Sequence, residues 1–127
     1  MQSGEIVLLK EVRLDRDVVG KCLRVTGHVA LLDFANHICQ IEHAGAVLWV
    51  DIGRVDIHGA NVKISSLVQF IGEVRITGRG DFSIPAEYGK DEFYLLAKVV
   101  RLVDGLDMAL FEQAIQARRD FVTAQTS

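Results

Sequence analysis

Between Cys22 and Leu32 the side chains alternate strictly, and this constrains the chain more than any other feature. Leu23, Val25, Gly27, Val29 and Leu31 line one face; Cys22, Arg24, Thr26, His28 and Ala30 line the other. A period of two over eleven residues is a half-buried strand and excludes a helix. Gly27 at its centre predicts a bulge or a sharp bend, the device by which small barrels turn a corner. Shorter strands follow. Asp33–Asn36 reads as a turn, Ile38–His43 as a second strand, Ala44–Gly45 as a tight turn and Ala46–Ile52 as a third strand, completing a meander. Residues 53–66 are a connector with room for one helical turn. Leu67–Thr77 is a fourth strand, and Gly78–Glu92, holding the single proline Pro85, is the longest loop. Phe93–Val103 is a fifth strand, apolar on both faces apart from Lys98 and Arg101. It is expected to be covered twice, by the barrel interior and by something packed outside.

The period then changes. Gly105 breaks the strand, Asp107 is a good N-cap, and Met108 to about Ala124 reads as an uninterrupted helix. At ~100° per residue, Leu110, Phe111, Ala114, Ile115, Arg118, Phe121 and Val122 fall on one side, and Met108, Ala109 and Ala117 widen the arc. Glu112 near the start and Arg118 and Arg119 near the end suit the helix dipole. Two readings stand for so broad an arc: deep burial at home as the outer cover of the last strand, or a seam for a second helix. Five strands and a terminal helix, with the break after the third strand, make an OB-fold the leading choice among small barrels. The expected architecture is therefore all-β with a C-terminal helix, a five-stranded Greek-key barrel. We read 1–127 as one domain, with the barrel at about 5–104 and the helix at about 107–124.

Composition narrows the function. Of 127 residues, 50% are apolar and 24% charged, which fits one packed domain and excludes disorder. No apolar run approaches the ~20 residues of a membrane span, so no membrane role is expected. The N-terminus has neither the basic region nor the apolar stretch of a secretory signal. Fourteen basic against seventeen acidic side chains give a net charge of -3, the wrong sign for a chain that grips nucleic acid unaided. Cys22 and Cys39 suggest free thiols in a reducing compartment.

Motifs for catalysis are missing. Gly20-Lys21 lacks the rest of a phosphate-binding loop, no Gly-x-Ser-x-Gly occurs, and the carboxylates fall mostly at turns, where Asp is favoured for backbone hydrogen bonding. His37-x-Cys39-x-x-x-His43 is the tightest metal-like cluster, but it has no Cys-x-x-Cys pair and offers only three of the four ligands of a structural zinc. The plainer reading is a core cysteine between surface histidines. Arg79-Gly80-Asp81 is most simply a charged loop. We expect no enzymatic activity, no cofactor and no metal. Nucleic-acid contact has more residue-level support. Trp49, Phe82, Tyr88 and Tyr94 are candidate stacking platforms, with Arg75, Arg79, Lys90, Lys98 and Arg101 nearby in sequence. Against this, a small barrel needs its aromatics for its own core.

Several motifs taken together resemble a known family. Val103-Asp104-Gly105-Leu106-Asp107, followed by Leu110, Glu112-Gln113-Ala114 and Ile115, is similar to the end of the smallest (Ten-one) subunit of the telomeric CST complex. That subunit is the counterpart of the small subunit of replication protein A. Leu23-Arg24-Val25-Thr26-Gly27 resembles the family's first-strand motif, and Gln69-Phe70-Ile71-Gly72-Glu73-Val74 its fourth. Ser3-Gly4 through Leu8, Leu9, Glu11 and Val12 is similar too. The resemblance implies a non-enzymatic OB-fold subunit whose terminal helix pairs with that of the middle subunit (Stn-one), within a trimer completed by the large subunit. It implies a nuclear, telomeric location, weak contact with single-stranded DNA, limitation of resection and telomerase, and support of fill-in by polymerase alpha-primase. Carried onto this chain, the helix seam is Met108, Leu110, Phe111, Ala114, Ile115, Arg118, Phe121 and Val122, with Phe111 and Ile115 as anchors. The DNA set is Arg75, Arg79, Lys90, Tyr94 and Arg101. Two alternatives remain: a free-standing module that binds single-stranded nucleic acid, and a pure protein adaptor.

Overall fold

The alternating segment becomes β2 (Cys22–Asp33), a strand long enough to serve both halves of a barrel. Its first half pairs antiparallel with β5 (Leu67–Ile76), from Cys22 opposite Glu73 to His28 opposite Leu67. Its second half pairs antiparallel with β3 (Ile38–His43), from His28 opposite Glu42 to Asp33 opposite Ile38. β3 continues into β4 (Ala46–Asp51). β4 runs parallel to β6 (Phe93–Leu102), and β6 closes the ring against β5. These five strands form the expected closed OB barrel. The computed structural model describes residues 5–14, 18–77, 82–89 and 91–126, the last with side chains only to residue 118.

Gly27 does its work differently from the expectation. The irregularity of β2 lies between Val29 and Leu31, where Ala30 is the extra residue. Gly27 itself permits a close approach: a Cβ there would meet the Glu42 carbonyl oxygen at 2.9 Å and the Leu9 side chain at 3.1 Å. Leu9 belongs to an element the sequence reading lacked. A two-residue β1 (Glu5–Ile6) joins the edge of β2 in parallel, and α1 (Leu9–Leu14) follows. The Leu8 amide donates to Glu11 Oε1 at 2.8 Å, bracing the first turn of α1. Leu9 and Val12, each 1% exposed, enter the interior cluster with Val25, Ile41, Leu48, Val50 and Phe70. α1 thus packs into the barrel's own core.

The connector after β4, which has room for one helical turn, is built of turns instead, and Ile57 and Val62 reach back into the core. A second cluster lies on the outer face of β3, β4 and β6. There Ile38, Trp49, Tyr94 and Leu96 are covered by Phe82, with Ile84 and Tyr88 packed alongside. The outer cover of the last strand is therefore the segment before it, and not the terminal helix. Beyond Ala97 the strand loses that cover, and Val99 and Leu102 are exposed. Among the described residues no helix is long and apolar enough to cross a membrane.

Candidate partner and nucleic-acid interface

Residues 103–107 launch the terminal helix. Asp104 Oδ1 accepts the Leu67 amide at 2.6 Å, while the Val103 amide donates to the Leu67 carbonyl at 2.8 Å. This pins the chain to the start of β5. Gly105 turns at φ +93°, a left-handed conformation in which glycine lacks the Cβ penalty. Asp107 then caps α2 (Met108–Thr126), its Oδ1 accepting from the amides of Ala109 at 3.0 Å and Leu110 at 3.2 Å. The N-cap expectation is met, and each polar residue of the Val103–Asp107 motif has a mechanical role.

Among the described residues α2 packs extensively along no strand. Met108, Phe111, Glu112 and Ile115 are half-buried and span roughly 100° of the helix circumference, the side that meets the barrel. Glu112 Oε1 contacts His43 Nε2, at the end of β3, at 2.5 Å. Residues 43 and 112 lie 69 positions apart with no pattern linking them, so no sequence signal could have found this tie. Leu110 is 62% exposed, and Ala114, Ala117 and Arg118 are exposed beside it. The broad arc therefore divides. Met108, Phe111 and Ile115 turn inward. Leu110, Ala114 and Ala117, at spacings of four and three, form an open seam of the kind that packs against another helix. Phe121 and Val122 fall in α2, with side chains outside the described residues.

The expected DNA set divides as well. Arg79 and Lys90, with the rest of the Arg79-Gly80-Asp81 loop, lie outside the described residues. Arg101 stands exposed on β6. Arg75 is directly opposite Tyr94 in the β5–β6 register, with its Nε 3.4 Å from Glu73 Oε1, a half-exposed pair worth little. Tyr94 is not an open platform, since it is 3% exposed and stacked on Phe82 with centroids 4.2 Å apart. Trp49 is covered in the same way by Tyr88, at 5.6 Å. Tyr88 is held by Asp33, whose Oδ2 accepts the phenol proton at 2.9 Å. Hydrogen bonds from Asn36 and then from Tyr88 hold the Asp33 carboxyl below its ordinary range, and the Asp33 bond raises the Tyr88 phenol above its own.

No group of three or more His, Cys, Asp or Glu among the described residues is arranged to hold a metal. Of the suspected trio, Cys39 is wholly buried in the core, whereas His37 is exposed in the turn before β3. Burial pushes the Cys39 thiol up to about 12.

Comparison with known proteins places this geometry. The S. pombe Stn1–Ten1 crystal structure contains a chain that superposes with a TM-score of 0.67 at 13% identity, over 94% of both chains. The S. pombe telomere capping protein Ten1 superposes with a TM-score of 0.66 at 13% identity, over 93% of this chain and 99% of that one. At such identities the likeness establishes the OB fold alone. The CST complex subunit TEN1 of Arabidopsis thaliana is 32% identical over 103 residues, 81% of this chain and 72% of that protein. A family described as "Telomere-capping, CST complex subunit" matches residues 1–125. The chain belongs to that family of telomere-capping CST complex subunits.

Proposed function

We propose that this chain is the small, non-catalytic OB-fold subunit of a CST-type complex, a single domain over 1–127 that supports the middle subunit through α2. The observation that carries the reading is the open Leu110–Ala114–Ala117 seam on a capped helix that, among the described residues, packs extensively along no strand. A 19-residue helix with exposed leucine and alanine at helix-packing spacing is poorly accounted for by its own barrel. The S. pombe Stn1–Ten1 complex supports a Stn1-like middle subunit as the partner, and a helix on that partner would suit the seam's spacing. Within the assembled trimer, completed by the large subunit, the chain works at telomeres in the nucleus. There the complex holds single-stranded DNA, limits resection and telomerase, and assists polymerase alpha-primase fill-in, with this subunit's own DNA contact weak, as its net charge of -3 favours.

Co-expression with a Stn1-like middle subunit, followed by sizing, tests the reading. The intact chain elutes with its partner. Leu110→Asp and Ala114→Asp each weaken co-elution, by about 2 kcal/mol or more for a central anchor, and Phe111→Ala and Ile115→Ala, on the side that meets the barrel, weaken it less. Undiminished co-elution of both aspartate variants overturns the reading.

A further inference from the structure

We propose that the tie between His43 and Glu112 positions α2 for its partner: it holds the helix at the roll angle that turns the Leu110–Ala114–Ala117 seam away from the barrel, and so sets the affinity of docking. The inference rests on the reading of α2 as a partner-binding helix, and it assigns to that surface two positioning residues outside the seam. α2 is attached to the barrel at two points. The first is the pin at the start of β5, where Val103 and Asp104 bond to Leu67. It precedes Gly105, a residue whose backbone admits many directions for the helix beyond it. That pin alone leaves α2 able to swing and to roll. The second point is Glu112 Oε1 against His43 Nε2 at 2.5 Å, the two side chains being only 34% and 18% exposed. β2 sets the span between the points, since His28 stands opposite both Leu67 of β5 and Glu42 of β3. His43 is itself held stiffly. It ends β3 opposite Ala46, across a two-residue turn in which Ala44 and Gly45 take φ of +51° and +83°, the left-handed pair that tight hairpins use.

Helix geometry says what the tie controls. At ~100° per residue, Leu110 and Ala114 each lie about 160° around the axis from Glu112, and Ala117 about 140°. With Glu112 turned to the barrel, the seam faces away from it. Rolling α2 to bury the seam breaks the bond. Such a roll has a driving force: Leu102 and Leu106, on the run of chain into α2, are exposed as Leu110 is, and apolar surface gains by meeting apolar surface. A carboxylate half withdrawn from water keeps its hydrogen bond at a premium, so the tie opposes the roll. A partner that accepts one orientation of α2 binds more weakly in proportion as fewer molecules hold it. Loss of one hydrogen bond to a charged group lowers that fraction about tenfold.

The test titrates a Stn1-like middle subunit with the intact chain and its variants, beside urea unfolding of each isolated chain. His43→Ala and Glu112→Ala each raise Kd about tenfold. The double variant raises it no further than either alone, because both remove the same bond. Glu112→Gln, which keeps an acceptor oxygen at the same reach, recovers most of the affinity. The urea midpoint stays close to wild type throughout, a split between affinity and stability that a merely structural contact does not produce. Unchanged affinity in both alanine variants overturns the proposal, as do additive losses in the double variant or a Glu112→Gln chain as weak as Glu112→Ala. If His43→Ala does not fold, Glu112→Ala and Glu112→Gln decide by the same criteria. A wild type that does not bind the middle subunit overturns the proposed function. A wild type that binds, loses binding on Leu110→Asp and is indifferent to both alanine variants overturns this inference alone.

Discussion

The two α-helices among the described residues reverse the usual relation between length and burial. α1 has six residues and places Leu9 and Val12 in the barrel core at 1% exposure. α2 has nineteen, yet packs extensively along no strand and leaves Leu110 62% exposed. A short helix is too costly to nucleate alone and persists only through packing. A long helix with a good cap can stand while its best face is empty. Here the short helix completes the fold, and the long one presents a surface.

This contrast makes graded predictions. The largest effect belongs to α1: Leu9→Ala lowers the unfolding free energy of the isolated chain by about 2–5 kcal/mol in urea titration. The same measurement on Leu110→Ala moves stability by less than about 0.5 kcal/mol. Equal losses at the two positions would erase the distinction. Next is the launch of α2. Asp107→Ala removes the acceptor for two amides and costs about 1 kcal/mol of helix stability, read as reduced helicity in circular dichroism. The smallest effect concerns β3, where Cys39 lies in the barrel core. Cys39 has its thiol pushed up to about 12 by burial, so its neutral form persists until the pH nears that value. At neutral pH a thiol reagent modifies half-exposed Cys22 and leaves Cys39 intact until the chain unfolds.

What the sequence disclosed follows from where periodicity was strong. β2 was legible because alternation extends over the whole strand, β6 because it is a nearly continuous apolar run, and α2 because Gly105 and Asp107 punctuate a long 3.6-residue repeat. α1 was illegible because Leu9–Leu14 is too short to display a period. The cover made by Phe82 and Tyr88 escaped for another reason: these rings meet Tyr94 and Trp49 only through the folding-over of a loop, and loops carry no period. The same blindness left α2 as the candidate cover of the last strand. For the proposed site, the sequence marked α2 and its apolar arc, but could not apportion that arc. Phe111 and Ile115 look like Leu110 and Ala114 until the tie between Glu112 and His43 fixes which side meets the barrel.

Hydrogen exchange across the α2 amides, with and without a Stn1-like middle subunit, tests most directly whether the long helix is a surface awaiting a cover. The account predicts that the Leu110–Arg118 amides exchange far faster than those of the barrel strands in the isolated chain, and slow by orders of magnitude on complex formation. Amides of α2 as protected as the core in the isolated chain, and unchanged by the partner, would contradict it.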